Sequence, residues 1–272
     1  MKTFKAELKA GRFTVPYRVY GTSGPLMVCV SGAQQSMTVW KSFVKFFHQR
    51  FRIMTMDLPG QGRARIDSGS ASVSLDEQVE ILHQLLEENG AWGEEQSVML
   101  CGASWGGIVI AAFAAKYPKI ADKIILGSFG MKPSSYMLEV INHGRRLFHA
   151  GKSNKIGDLI VECFGDSVSP LYKKAIRQQF NKMDRDKLMT FYAHCDFVEE
   201  AGNIHDFIML RNIEARTLII NGQRDTILDL EDLDLATQHI PNCECRVVEN
   251  VGHFLHFEDS SILGIYDQFL AS

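Results

Sequence analysis

The chain has 272 residues, enough for one large domain or two smaller ones, and its 46% hydrophobic and 22% charged content fits a globular protein with a sizeable core. Lys and Arg total 29 against 32 Asp and Glu, a net charge of −3 that gives no ground for a nucleic-acid partner. The opening residues Met1–Glu7 lack the apolar core of a signal peptide, and no apolar run reaches bilayer length, so a cytoplasmic location without stable membrane insertion is expected.

In chain order, Ala6–Lys9 and Phe13–Tyr20 flank Gly11 and read as an antiparallel pair. Leu26–Val30 is a short continuous apolar run, as expected of a strand buried on both faces of a parallel sheet. A helix over about Thr38–Phe47 and a second buried strand, Phe51–Asp57, follow. Ser74-Leu75-Asp76-Glu77 is a capping box, in which serine and glutamate satisfy each other's backbone amides. Behind it Leu75, Val79, Leu82, Leu85 and Leu86 keep one helical face apolar, and Gly90 closes the helix. A strand at Ser97–Cys101, a helix at Gly107–Ala115 and a strand at Lys123–Gly127 continue the alternation, which predicts a mostly parallel, doubly wound sheet.

The pattern breaks after about Phe129. Up to about Arg211 only helix-period segments occur, such as Asp158–Phe164, and strands resume at Ala215–Asn221 and Cys245–Val248. The expected division is a core of residues 1–129 and 212–272 with a helical cap, 130–211, inserted between two sheet strands. Such a cap covers the carboxyl ends of the strands, where open α/β sheets place their ligands.

The six cysteines suggest no disulfide framework. Cys29 and Cys101 sit in apolar runs as small hydrophobes, and the Cys243-x-Cys245 pair lacks a second ligand pair at zinc spacing. No motif for a metal or an organic cofactor is apparent.

Gly102-Ala103-Ser104-Trp105-Gly106 lies between a strand and a helix, the setting of the nucleophile elbow of α/β-hydrolases. A serine hydroxyl needs an adjacent base, and a histidine held in one tautomer by a carboxylate supplies it. Asp225 and His253 each follow a predicted strand, in the chain order Ser, Asp, His that this fold uses. Asp225 taken alone also fits a turn residue, and His256 is the nearest competitor to His253. The backbone amides of Trp105 and of Ala33 are the expected oxyanion donors. Gly32, Met131 and Phe254 are expected at the substrate, and Met137, Leu138, Phe148, Phe164 and Phe180 are further cap residues for an acyl chain, each also suited to the cap's own core.

Asp57-Leu58-Pro59-Gly60-Gln61-Gly62-Arg63, Ser31-Gly32-Ala33, Ala103-Ser104-Trp105-Gly106-Gly107, Ile220–Asp225 and Gly252-His253-Phe254-Leu255 resemble the RhlA/PhaG-type branch of the α/β-hydrolase superfamily. The resemblance runs over most of the chain, more weakly through the helical insertion. It implies acyl transfer from 3-hydroxyacyl thioesters of acyl carrier protein or coenzyme A to a 3-hydroxy acid, as in making 3-(3-hydroxyacyloxy)alkanoate surfactant precursors, or between carriers. The chain departs from the pattern at Thr226-Ile227-Leu228, where an acidic and then an aromatic residue are usual, and at His256, where an acidic one is.

Between His143 and Lys187 ten basic residues (Arg145, Arg146, Lys152, Lys155, Lys173, Lys174, Arg177, Lys182, Arg185, Lys187) face five acidic ones (Asp158, Glu162, Asp166, Asp184, Asp186). This excess suits an acidic carrier protein or a nucleotide-phosphate carrier, as well as a plain solvated helical face. Hydrolysis of an ester or thioester through the same triad is the alternative function. A non-catalytic receptor on this scaffold would not need Ser, Asp and His together.

Overall fold

The computed structural model describes residues 2–93 and 97–272. Among the described residues nine strands form one sheet: β1 (Thr3–Ala10), β2 (Phe13–Tyr20), β3 (Leu26–Val30), β4 (Arg52–Met56), β5 (Arg65–Ile66), β6 (Val98–Ala103), β7 (Ala121–Gly127), β8 (Arg216–Gly222) and β9 (Cys243–Val248). Their order is β1-β2-β4-β3-β6-β7-β8-β9, with the two-residue β5 paired to β2. β1, β2 and β4 pair antiparallel, as do β2 and β5, while every pairing from β4 through β9 is parallel. The expected hairpin is present, and Gly11 turns it with φ +55°.

Helices cover both faces of the sheet. α1 (Lys41–Phe47) and α9 (Ile262–Ala271) bury Phe43, Phe47, Tyr266 and Phe269 on one side, while α2 (Leu75–Glu88), α3 (Trp105–Lys116) and α8 (Leu233–His239) bury Leu82, Phe113 and Ala236 on the other. The central strands serve both layers by alternation: Val28 and Leu100 face the second layer, Met27 and Cys101 the first. That double coverage is why these strands read as unbroken apolar runs. The capping box on α2 is formed, with Glu77 N–H donating to Ser74 Oγ at 3.2 Å and Ser74 N–H to Glu77 Oε2 at 2.9 Å. Before α1, residues Met37–Trp40 form a 3-10 turn rather than α-helix.

Between β7 and β8 lie α4 (Ser135–His149), α5 (Ile156–Phe164), α6 (Pro170–Asn181) and α7 (Arg185–Ala201). They share a hydrophobic cluster of their own that includes Ile141, Ile156, Phe180 and Tyr192. This group is tied to the loop after β3 by Gln179 Nε2, which donates to the Gln34 carbonyl, and by Gln34 Nε2, which donates to the Lys187 carbonyl at 3.2 Å. A hydrogen bond from Thr190 Oγ1 to the Ala71 carbonyl, 2.7 Å, adds a second anchor. No helix among the described residues is long and apolar enough to cross a membrane.

Candidate active site

Ser104 stands at the bend between β6 and α3 with φ 52° and ψ −121°, in the left-handed region that costs a non-glycine residue about 1–3 kcal/mol. The surroundings enforce it. Ser104 N–H donates to the Gly127 carbonyl of β7 at 2.8 Å, and the Ser104 carbonyl accepts from Gly107 N–H at 2.8 Å to start the helix. The flanking glycines are there for close approach: a Cβ on Gly102 would lie 2.6 Å from the Gly106 carbonyl oxygen, and one on Gly106 would run into the Val30 carbonyl. Strand, bend and helix therefore pack backbone on backbone, which leaves the serine side chain directed outward.

Asp225 follows β8, and its side chain is fully buried. One carboxylate oxygen, Oδ1, accepts from Ile227 N–H at 2.9 Å, so the residue does make the turn contact expected of it. The other, Oδ2, meets His253 Nδ1 at 2.7 Å. A carboxylate can only accept, so the imidazole carries a proton on Nδ1, and in the neutral ring the Nε2 lone pair is the one left to take another. His253 is held in turn by a feature no sequence motif announced. The Glu258 carboxylate accepts from Gly252 N–H at 2.6 Å and from Phe254 N–H at 2.9 Å, clamping the amides on either side of the histidine. Ser128, with φ 50° just past β7, adds a hydrogen bond from its Oγ to the His253 carbonyl at 2.6 Å.

Ser104 and His253 line one small cavity together, with Ser128 and Phe254 in its wall. On its other side Ser104 opens into a cavity of about 110 Å³ that Ala33, Trp105, Ile108, Phe129, Met137 and Leu228 help to line. Ser128 borders both. Among the described residues neither the Ala33 nor the Trp105 amide donates to another group, so both remain available beside the serine. Gly32 touches the same place: a Cβ there would lie 3.3 Å from Ser104 Cβ. Ser31, standing before it, is spent on structure, accepting from Trp40 Nε1 at 3.0 Å.

Other expected residues lie elsewhere. Met131, expected at the substrate, is completely buried in the main core and lines neither cavity, because its backbone carbonyl is drawn to Ile204 N–H at 2.8 Å as the chain leaves the sheet. Of the other named cap residues, Met137 reaches the larger cavity, whereas Phe180 packs in the core of α4–α7. Phe254 borders the smaller cavity and packs against the ring of Tyr172, centroids 5.5 Å apart. His256 is buried against Trp40 and Phe43, has no partner on Nε2 among the described residues, and is pushed down to about 4 by burial. With no carboxylate among the described residues to orient it, His256 does not match the pairing seen at His253. Ile227 and Leu228, the departures from the family pattern, are cavity wall.

The chain is 22% identical over 252 residues to an (R)-3-hydroxydecanoyl-ACP:CoA transacylase of Pseudomonas putida, covering 90% of this chain and 83% of that protein. It is 24% identical over 247 residues to the human monoacylglycerol lipase ABHD6, covering 86% and 71%. A thermophilic esterase from Thermogutta terrifontis superposes with a TM-score of 0.79 at 21% identity, covering 100% of this chain and 98% of the esterase. Residues 23–260 match the family model Hydrolase_4, described as serine aminopeptidase, S33. The chain therefore belongs to that family and is an enzyme of the α/β-hydrolase superfamily.

Proposed function

We propose that the chain builds an acyl-enzyme on Ser104 from a 3-hydroxyacyl thioester of acyl carrier protein or coenzyme A and passes the acyl group to the hydroxyl of a 3-hydroxy acid. The observation that carries this reading is the 2.7 Å contact between His253 Nδ1 and a fully buried Asp225 carboxylate, on a loop that shares a cavity with the strained serine. In the proposed reaction His253 Nε2 takes the Ser104 proton as Oγ attacks the thioester carbonyl. The Trp105 and Ala33 amides donate to the oxyanion, and Asp225 offsets the imidazolium charge. The thiol leaves with the proton from His253, and the acceptor hydroxyl, deprotonated by the same nitrogen, attacks the acyl-serine. The apolar cavity beside Ser104 takes the acyl chain, and the segment 130–211 acts as its lid.

The choice of a 3-hydroxyacyl thioester donor rests on the transacylase relative, and that of a 3-hydroxy acid acceptor on the resemblance to enzymes that make surfactant precursors. The lipase relative favours a second reading, in which water resolves the same acyl-enzyme, and the two differ only in how well the lid excludes water. Incubation with 3-hydroxydecanoyl-CoA and 3-hydroxydecanoate is expected to leave a 3-hydroxydecanoyl adduct on the Ser104 peptide in mass spectra and to release an ester dimer. Free acid alone would favour hydrolysis. Ser104→Ala is expected to lose adduct and product by several orders of magnitude, and undiminished turnover would overturn the proposal.

The basic face is narrower than its composition suggested. Arg145 pairs with Asp196 and Glu199, and Arg177 Nε pairs with Asp158 Oδ1 at 2.9 Å. Lys173 and Lys174 on α6 make no ion pair among the described residues, Lys173 Nζ donating only to the Asp166 backbone carbonyl at 3.4 Å, and both are proposed to meet the anionic carrier. Reversing both to glutamate is expected to raise KM for carrier-bound donor roughly fivefold to tenfold at low salt and to leave a neutral p-nitrophenyl ester unaffected. Equal changes for both substrates would remove the carrier contact.

A further inference from the structure

His194 on α7 is only 3% exposed and stacks on the indole of Trp105, with centroids 4.1 Å apart and planes 14° from parallel. The Trp105 Nε1–H donates to Gln78 Oε1 at 2.9 Å. An indole N–H can only donate, so this bond settles which end of the Gln78 amide is oxygen. The amide nitrogen then donates, to the Ser74 carbonyl at 3.3 Å and to His194 Nε2 at 3.3 Å. His194 Nε2 is therefore an acceptor. Burial pushes the pKa of the ring down to about 3, so it is neutral at ordinary pH. A neutral imidazole with an accepting Nε2 carries its proton on Nδ1.

That Nδ1–H is buried and has no hydrogen-bond partner among the described residues. Yet His194 lines the cavity that Ser104 opens into, beside Ile141, Phe191 and Ile204. A buried donor left unpaired is costly, and a donor held in a mostly apolar wall by a three-residue chain invites an acceptor from the ligand.

We infer that His194 is a specificity-determining residue whose Nδ1–H donates to an oxygen substituent on the acyl chain, selecting oxygenated acyl groups over plain ones. The inference rests on the reading of this cavity as the acyl site. Gln78 sets the tautomer, and Trp105 holds the ring plane while its own amide stands next to the nucleophile. Recognition of the chain is thereby wired to the elbow through a single side chain.

The test compares 3-hydroxyoctanoyl-CoA with octanoyl-CoA by thiol release. The wild type is expected to favour the hydroxylated chain by about 10- to 100-fold in kcat/KM, the range set by one buried hydrogen bond. His194→Phe is expected to erase that preference, bringing the ratio of the two kcat/KM values to within about threefold of one by slowing the hydroxylated substrate more than octanoyl-CoA. His194→Asn, whose amide nitrogen falls near the Nδ1 position, is expected to retain much of it. A wild type indifferent to the hydroxyl, or a His194→Phe variant that slows both chains equally, overturns the inference. The ring also reports without turnover. In 15N-histidine-labelled protein His194 is expected to show a protonated Nδ1 whose resonance moves with 3-hydroxyoctanoate and not with octanoate. A proton on Nε2, or one response to both acids, overturns it as well. Movement with 3-hydroxyoctanoate alone in a protein that never acylates Ser104 would sustain the binding role and discard the acyl-enzyme reading.

Discussion

Asp225→Asn is expected to lower kcat on esters and thioesters alike by about four orders of magnitude while leaving the fold intact. The geometry explains why so small a change would cost so much. Asparagine keeps an oxygen for Ile227 N–H, which now bonds Asp225 Oδ1 at 2.9 Å, so the turn persists. Its amide nitrogen then replaces the Oδ2 that meets His253 Nδ1 at 2.7 Å. Because that nitrogen can only donate, His253 must present an unprotonated Nδ1 and move its proton to Nε2. An imidazole protonated on Nε2 has no lone pair for the Ser104 proton. Breaking the buried pair by truncation, as in Asp225→Ala, would mix this chemical loss with a packing defect, so the asparagine variant is the cleaner instrument. Steady-state rates on p-nitrophenyl esters and a thermal melt decide the matter. Turnover within tenfold of wild type, with an unchanged melt, would remove Asp225 from the mechanism and leave its role as a turn residue.

Much of this arrangement was legible before any coordinates. The strands flanking the bend are apolar on both faces because helices cover both, and that leaves an unbroken signature at Leu26–Val30 and Val98–Ala103. The residues that meet at the rim each follow a strand, so topology alone brought Asp225 and His253 to one edge. Local chemistry was equally readable: the Ser74–Glu77 capping box depends on residues three apart.

What the sequence hid depends on contacts between distant segments. Glu258 looks like any exposed glutamate after a strand, and only the fold shows its carboxylate gripping the amides of Gly252 and Phe254. Gln78 sits one place beyond a capping box and reads as a polar break in an apolar stripe. Its purpose appears only when Trp105 of the elbow and His194 of α7 arrive beside it. Met131 and Met137 are equivalent by composition, but the first lies in the exit segment pinned to Ile204 and the second one turn into α4, so only the second reaches the cavity. Helical periodicity says that a face is apolar and cannot say whether a core or a substrate lies against it.

The second large effect concerns acid. His194 and His256 are both buried, and desolvation lowers them from 6.5 to about 3 and about 4. In the unfolded chain both would titrate near the ordinary histidine value, so the unfolded state binds protons that the folded state refuses. Stability from this source is fully present above about pH 6.5 and is lost as pH falls toward the two folded values. At 1.36 kcal/mol per unit, the two sites together cost on the order of 6 kcal/mol by pH 4. That is comparable with the whole stability of a typical domain, about 5–15 kcal/mol. The protein is therefore expected to lose much of its stability in mild acid, between about pH 6.5 and 4. The sites lie in separate clusters, His194 against Trp105 and His256 against Trp40, so their effects should add. Urea melts at pH 7.5, 5.5 and 4.5 on wild type and on a His194→Phe, His256→Phe double variant measure this directly. The variant should stay folded further into acid and show a much flatter dependence between the two higher values, since the phenylalanines fill the same apolar sites without a proton to gain. Parallel curves for the two proteins would assign the acid sensitivity to the carboxylates instead.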